Sequence, residues 1–204
     1  MASQGQRVGV LELTAGELGT LGDPETRIAE TRAAAQVLGL SWRGNLGLPD
    51  GGLADLPGAE LELAQALREL QPGVLLLPHA EDRHPDHVAA HQLGRRAAHL
   101  AGLAKAPLQG APFRVRRLLC YPGNAPVRAE LLVDVGSMAE VWRAAVLCHA
   151  SQFSGPTVSE TVGPEIVERR LARMMYWGTF AGVRYADAFT TLGPLLLRAE
   201  ALLP

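Results

Sequence analysis

The feature that most constrains this chain is the run VLLLP, Val74–Pro78, set between two amphipathic segments. Consecutive apolar residues of strand length, bounded by turn formers, predict a strand buried on both faces. Before it, AELELAQALRELQPG places Leu61, Ala64, Leu67 and Leu70 on one side of a helix. After it, HPDH (His84, Pro85, Asp86, His87) opens another helix, with Pro85 at the first helical position, running to about Leu103.

The same order occurs earlier. RVGVLEL, Arg7 to Leu13, has strand length, and PETRIAETRAAAQVLG follows with Asp23 as its N-cap and Gly39 as its stop. The stretch from Ser41 to Pro57 reads as loop with room for one short strand. FRVRRLLCYPG and AELLVDVG are strand candidates; MAEVWRAAVLCHAS and PEIVERRLARMMYWGTFAG are helix candidates. Strands alternating with helices predict an α/β layered fold with a mostly parallel sheet. With no repeat, low-complexity segment or linker, residues 1–204 read as one domain.

Composition excludes several classes. Apolar residues make up 48% and charged residues 20%, which is too apolar for disorder. The net charge of −2 gives no field suited to nucleic acid or to an anionic membrane. There is no membrane-length apolar run and no signal-peptide pattern at the start, so a cytoplasmic protein is expected. Cys120 and Cys148 lack C-x-x-C spacing and read as reduced, buried small hydrophobes.

HPDH lies beyond the carboxyl end of the Val74–Pro78 strand, where ligand sites of open α/β sheets collect. His84 and His87, three apart at a helix start, can face one pocket. Three readings stay open on the residues alone: a metal site, a proton-handling pair, or a polar helix start. Imidazole is a common zinc ligand, and a catalytic zinc takes three protein ligands and lowers the pKa of its water to about 7. A second imidazole could stabilise an oxyanion or protonate a leaving amine, with a carboxylate orienting it. His91 and His99 read as solvated helix residues and His79 as a rim residue.

The stretches LELTAGELGTLGDPETRIAETRAAAQVLG, LPDGGL, LLLPHAEDRHPDH, CHASQFSG and AGVRYADAF, in that order, resemble the PIG-L/LmbE-like zinc N-deacetylases. Within that family they are most similar to the N-acetyl-α-D-glucosaminyl L-malate deacetylases of bacillithiol biosynthesis. The resemblance implies a Rossmann-like three-layer α/β fold, a Zn2+ cofactor and hydrolytic removal of acetate from an N-acetylglucosaminyl conjugate. It implies that His87 is a zinc ligand, and that His84 stabilises the oxyanion or acts as general acid with Asp86 orienting it. Arg27, Glu17 and Asp50 would contact the sugar, and Arg83 the malate carboxylate.

On the residues alone, Arg27 could equally be solvated, Glu17 and Asp50 could only make turns, and Arg83 could pair with Asp82 or Glu81. His149 and Gln152 of CHASQF could line the pocket or pack a helix end, and Tyr185 and Asp187 read as core or wall. YPGN, Tyr121 to Asn124, matches a loop near the acidic end of the substrate. The implied partner is a small sugar conjugate, with no nucleic acid and no membrane, and the implied assembly is a homo-oligomer as large as a hexamer.

The departure from the family lies at its A-H-P-D-D motif, which would supply two further ligands and the general base. This sequence has HPD only at 84–86. The first strand and helix of the family fold are therefore expected to be missing from this chain. The alternatives to a deacetylase are an inactive sugar-binding or structural remnant, or an enzyme for another N-acyl sugar or thiol conjugate.

Overall fold

The computed structural model describes residues 1–19, 21–153, 163 and 165–196. They form two compact units, Met1–Gly51 with Leu132–Asp187 and Gly52–Leu131 with Ala188–Pro204.

In the first unit, β1 (Gly9–Thr14) lies parallel to β2 (Trp42–Leu48), with Gly9 opposite Trp42 and Glu12 opposite Asn45. Parallel neighbours cannot be joined by a hairpin, so the chain crosses between them through α1 (Pro24–Val37). The Asp23 carboxylate caps α1, accepting the Thr26 N–H at 2.9 Å and the Thr26 hydroxyl at 2.6 Å. β2 is longer than its composition suggests, because WRGNLGL mixes glycine with polar residues. Arg43 meets Glu12 across the pair at 2.7 Å, so its charge is matched within the sheet. α4 (Ala139–Leu147) packs on α1, and α5 (Ile166–Ala181) follows.

The second unit is built on α2 (Ala59–Leu70), β3 (Val74–Pro78), α3 (Pro85–Ala101) and β4 (Arg117–Tyr121). β3 and β4 are parallel and in register from Val74 opposite Arg117 to Pro78 opposite Tyr121. α2 packs on α3 through buried Leu63, Ala64 and Leu67 on one helix and Leu93, Ala97 and Ala101 on the other. Each such leucine contributes about 1.5–3 kcal/mol. Gly94 lets α3 settle onto β3, since a Cβ there would collide with the Leu77 side chain.

The buried stripe of α2 differs from the one expected. Leu61 and Leu70 are half-buried, while Leu63 and Arg68 are buried. Arg68 is tolerated inside because its guanidinium donates to the carbonyls of Ala101 (3.0 Å), Leu103 (2.6 Å), Leu108 (3.0 Å) and Gly110 (3.1 Å).

Two further strands, β5 (Leu131–Asp134) and β6 (Ala186–Thr191), complete a sheet of order β3-β4-β6-β5. β6 runs antiparallel to β4, with Thr191 opposite Leu119. Glu130 bonds to Phe189 and Val135 to Tyr185, so β5 also runs antiparallel to β6. The α/β class expected from the alternation of elements is the class observed, and both helix-crossed pairs are parallel. β6 escapes a reading by pattern because its inward positions are the small residues Ala186, Ala188 and Thr190. Both cysteines are free thiols, Cys120 buried and Cys148 half-buried. Among the described residues no helix is long and apolar enough to cross a membrane.

Candidate functional site

Because β3 and β4 run parallel and in register, the loops that leave them emerge at the same end. The ladder extends one step further, with the His79 N–H on the Tyr121 carbonyl at 2.9 Å. The chain then turns on Asp82, whose Oδ1 accepts the N–H of His84 at 2.8 Å. Asn124, from the loop after β4, donates its backbone N–H to Asp82 Oδ2 at 2.7 Å and its side-chain amide to Oδ1 at 3.2 Å. The Asp82 side chain is 0% exposed. Burial by itself would push its carboxyl up. The N–H groups of His84 and Asn124 and the imidazole of His87 outweigh that and hold it far below the usual carboxylate range.

His84 is the N-cap of α3: its Nδ1 accepts the N–H of Asp86 at 3.2 Å. With that lone pair engaged, a neutral ring carries its proton on Nε2. The His87 ring stacks on it, centroids 4.7 Å apart and planes 18° from parallel. His87 Nδ1 lies 3.2 Å from Asp82 Oδ2 and is buried, without making a hydrogen bond among the described residues. A carboxylate at that distance favours a proton on Nδ1. Nε2 of His87 is then an unprotonated lone pair, on a side chain 41% exposed. Asp86 is buried. Its bond with His84 runs from its own N–H to the imidazole, while its carboxylate accepts the Leu53 N–H at 3.4 Å.

In the first unit, Glu17 and Asp50 clasp two loops reciprocally. Asp50 N–H donates to Glu17 Oε1 at 2.8 Å, and Leu18 N–H donates to Asp50 Oδ2 at 3.1 Å. The Asp50 N–H is the main reason the Glu17 carboxyl sits below its ordinary value. Arg27 donates to the Gly16 carbonyl, so the loop after β1 wraps around its guanidinium. Ser151 donates to Glu30 through N–H (2.6 Å) and hydroxyl (2.8 Å), and Gln152 donates to the Leu21 carbonyl at 2.8 Å. These are helix-end contacts, one of the two roles open to the CHASQF segment. In the second unit Arg83 is exposed and forms no ion pair among the described residues. The pairing with Asp82 that its neighbourhood allowed does not form, because Asp82 faces inward.

The zinc implied by the resemblance can be tested against these side chains. His87 has the form of a ligand arm: one nitrogen against a buried carboxylate, the other carrying an outward lone pair. A catalytic zinc needs three protein ligands. Among the described residues no three His, Cys, Asp or Glu side chains cluster to hold a metal. The residues present therefore fit one arm of a metal site and not a complete one.

Sequence reading misses Asp82 as a structural centre of this region and gives YPGN only a loop role. The available signal is the D-x-H-P-D-H spacing, since an aspartate two residues before a helix N-cap is well placed to accept its N–H. It also misplaces His91, which is 1% exposed. Burial is tolerated because His91 Nδ1 reaches the Pro78 carbonyl at 2.9 Å, at the end of β3. His99 is exposed, as expected.

Polar groups gathered beyond the carboxyl ends of parallel strands place this region in the common ligand-site class of α/β proteins. Comparison with known proteins narrows that class. The family model described as PIG-L, GlcNAc-PI de-N-acetylase, matches residues 1–98. A diacetylchitobiose deacetylase of Thermococcus kodakarensis is 30% identical over 203 residues, covering 92% of this chain and 73% of the relative. A 1D-myo-inositol 2-acetamido-2-deoxy-alpha-D-glucopyranoside deacetylase of Nocardiopsis dassonvillei is 38% identical over 126 residues, 52% of this chain. That match spans 43% of the relative's own length. Among solved structures, the conserved protein TT1542 from Thermus thermophilus superposes with a TM-score of 0.89 at 51% identity, covering 97% of this chain and 86% of that one. The chain belongs to the PIG-L family of LmbE-like N-deacetylases.

Proposed function

We propose that this protein is a metal-dependent N-deacetylase that hydrolyses the acetamide of an N-acetylglucosaminyl conjugate. The observation that carries this reading is a pair of stacked imidazoles at the start of α3, His84 accepting the Asp86 N–H on Nδ1 and His87 lying with Nδ1 against the buried Asp82 carboxylate. In this reading His87 would be one ligand of a zinc ion, and the chemistry such an ion would supply is an activated water for amide hydrolysis. His84 donates its Nε2 proton toward the carbonyl oxygen as that oxygen gains charge, and is the donor at hand for the departing amine. Asp86 keeps the His84 ring in place through its N–H.

Arg27, Glu17 and Asp50 take the sugar contacts in this proposal, and residues 1–204 act as one deacetylase domain. The matched relatives are named for diacetylchitobiose and for an inositol glucosaminide, which share the acetamido sugar. The choice of the L-malate conjugate of bacillithiol biosynthesis rests on Arg83, an exposed guanidinium suited to a bidentate pair with a carboxylate. A cytoplasmic homo-oligomer completes the reading. One observation favours a second reading, a non-catalytic sugar-binding relative: the described residues bring together one metal-ligand arm.

The test is acetate release from N-acetylglucosaminyl L-malate, the inositol glucosaminide and diacetylchitobiose, using protein expressed from the whole coding region with Zn2+ supplied. Zinc-dependent release, highest on the malate conjugate and lost in His84→Ala and His87→Ala, is expected. Equal rates on all three would remove the malate assignment. No release from any, with no zinc retained, would establish the non-catalytic reading.

A further inference from the structure

His91 lies outside every role assigned so far, although at 1% exposed it is among the most deeply buried side chains of the second unit. A histidine this deep loses its hydration, so each polar atom needs an answer. Its Nδ1 stands 2.9 Å from the Pro78 carbonyl oxygen. A carbonyl only accepts, so Nδ1 is the donor and the ring carries its proton there. Nε2 is left as a buried lone pair with no hydrogen bond among the described residues. An apolar side chain of similar size would leave no such unmet atom. What the histidine contributes is therefore its Nδ1 donor.

That donor acts where α3 meets both strands of the parallel pair. Pro78 is the last residue of β3, and Cys120 Sγ of β4 lies 3.7 Å from the same nitrogen. Pro78 and Cys120 stand four residues before Asp82 and Asn124, the residues through which the two loops meet. A Cβ at Gly123 would strike Asp82, so only glycine lets the loops come this close. Asp82 in turn accepts the N–H of His84, at the head of the helix that carries His91. The contacts close a circuit: along α3 from His91 to His84, through Asp82 to Asn124, down to Cys120 and back to His91. His87 and His91 are four apart and share one face of α3. The His84 cap and the Asp82 turn tie the first turn of α3 to its own loop, whereas His91 ties the helix to the strands.

We propose that His91 is a positioning residue for the stacked pair His84 and His87. By donating from Nδ1 to the end of β3 it fixes how far α3 stands along the two strands, and so where its first turn meets the loops above them. The proposal rests on the reading of that pair as the reacting imidazoles. A misplacement of about 1 Å caused far from the chemistry can cost on the order of 10²-fold in rate, the scale on which such a fastening matters.

The experiment compares His91→Asn, His91→Gln and His91→Leu in the purified 204-residue chain, reading the histidine rings by NMR at mildly alkaline pH beside the melting temperature. An asparagine amide nitrogen falls where Nδ1 stands and a glutamine nitrogen where Nε2 stands, while leucine keeps bulk without a donor. In the wild type His91 should be the Nδ1–H tautomer, and an Nε2–H ring there overturns the proposal without any variant. Stacked rings shift each other's carbon-bound protons upfield, so His84 and His87 report their own placement. Those shifts should be kept in His91→Asn and lost in His91→Gln and His91→Leu. If the latter two lower the melting temperature yet leave the His84 and His87 shifts as in the wild type, His91 only fastens the core and the proposal fails. It fails equally if His91→Asn disturbs the pair as much as His91→Gln, a comparison that stands even if His91→Leu does not fold. A wild type that releases no acetate would remove the deacetylase reading, while the ring shifts still decide the positioning role.

Discussion

The helices α1 and α3 begin in the same way, and the difference between their first turns is instructive. Each follows a strand of a parallel pair, opens with proline and carries a side chain with a proposed role in the first turn: Arg27 in α1, His87 in α3. α1 is capped by Asp23, whose two oxygens take the N–H and hydroxyl of Thr26. α3 is capped by a histidine through one ring nitrogen. Aspartate is among the preferred N-cap residues and histidine is not, so α3 gives up capping strength at this position. What it gains is a second ring nitrogen free to donate outward. Where a residue departs from local preference and its surroundings compensate, a functional demand is the usual reason. Here the compensation is Asp82, which takes the N–H of the cap residue itself.

The largest effect should separate the two caps by function. In the deacetylating protein, His84→Ala is expected to lower turnover about 10²–10³-fold, as for loss of an oxyanion donor. Asp23→Ala should leave turnover within about twofold, because any cap loss there acts on helix stability rather than on the reacting groups. Steady-state rates on the acetamido sugar conjugate check both, and equal losses would erase the distinction between the caps.

The next effect concerns acid. A carboxyl whose folded pKa is depressed contributes stability that is fully present above its unfolded value of about 3.9 and is lost as pH falls below it. Asp82 is such a group. Asp82→Asn should cost about 1.5–3 kcal/mol at neutral pH, the range for hydrogen bonds to a charged group. The gap between variant and wild type should narrow only as pH drops below about 4. Urea melts across pH would detect this, and a gap that is flat with pH would show that the charge of Asp82 is not what holds the loops.

Smaller still, Asp23→Ala should lower the melting temperature slightly, since the cap it removes is exposed. The smallest effect is the most diagnostic. His84→Asp should raise stability by about 0.5 kcal/mol by installing a preferred cap, while removing the ring donor. Denaturant melts paired with turnover measurements would read both at once. A loss of stability in His84→Asp would mean that histidine is held there for packing and not for chemistry.

Much of this is legible in the sequence, for reasons that differ by residue. Both helix starts can be read because caps are local: Asp23 and Thr26 are three apart, and His84 and Asp86 two apart. The VLLLP strand is legible because five consecutive apolar residues bounded by turn formers match strand length. It is not buried on both faces as expected: it lies at the edge of its sheet and Leu76 is 43% exposed. β6 is not legible, because its inward residues are small and its outward ones mixed. Arg68 is not, because its charge is answered by carbonyls that no sequence pattern announces. His91 looks solvated because nothing near it in sequence identifies the Pro78 carbonyl as its partner.

By itself, then, the sequence determined the α/β class, the order of most elements, the two helix starts and the HPDH residues with their family resemblance. All of these depend on periodicity or on contacts within a few residues. Only the tertiary structure decided that Asp82 is a buried centre rather than a surface partner of Arg83, and that Gly123 and Asn124 belong with it. Asn124 lies 42 residues from Asp82. They meet because two strands run parallel in one register, a relation set by pairing and packing across the sheet and encoded in no single segment of the chain.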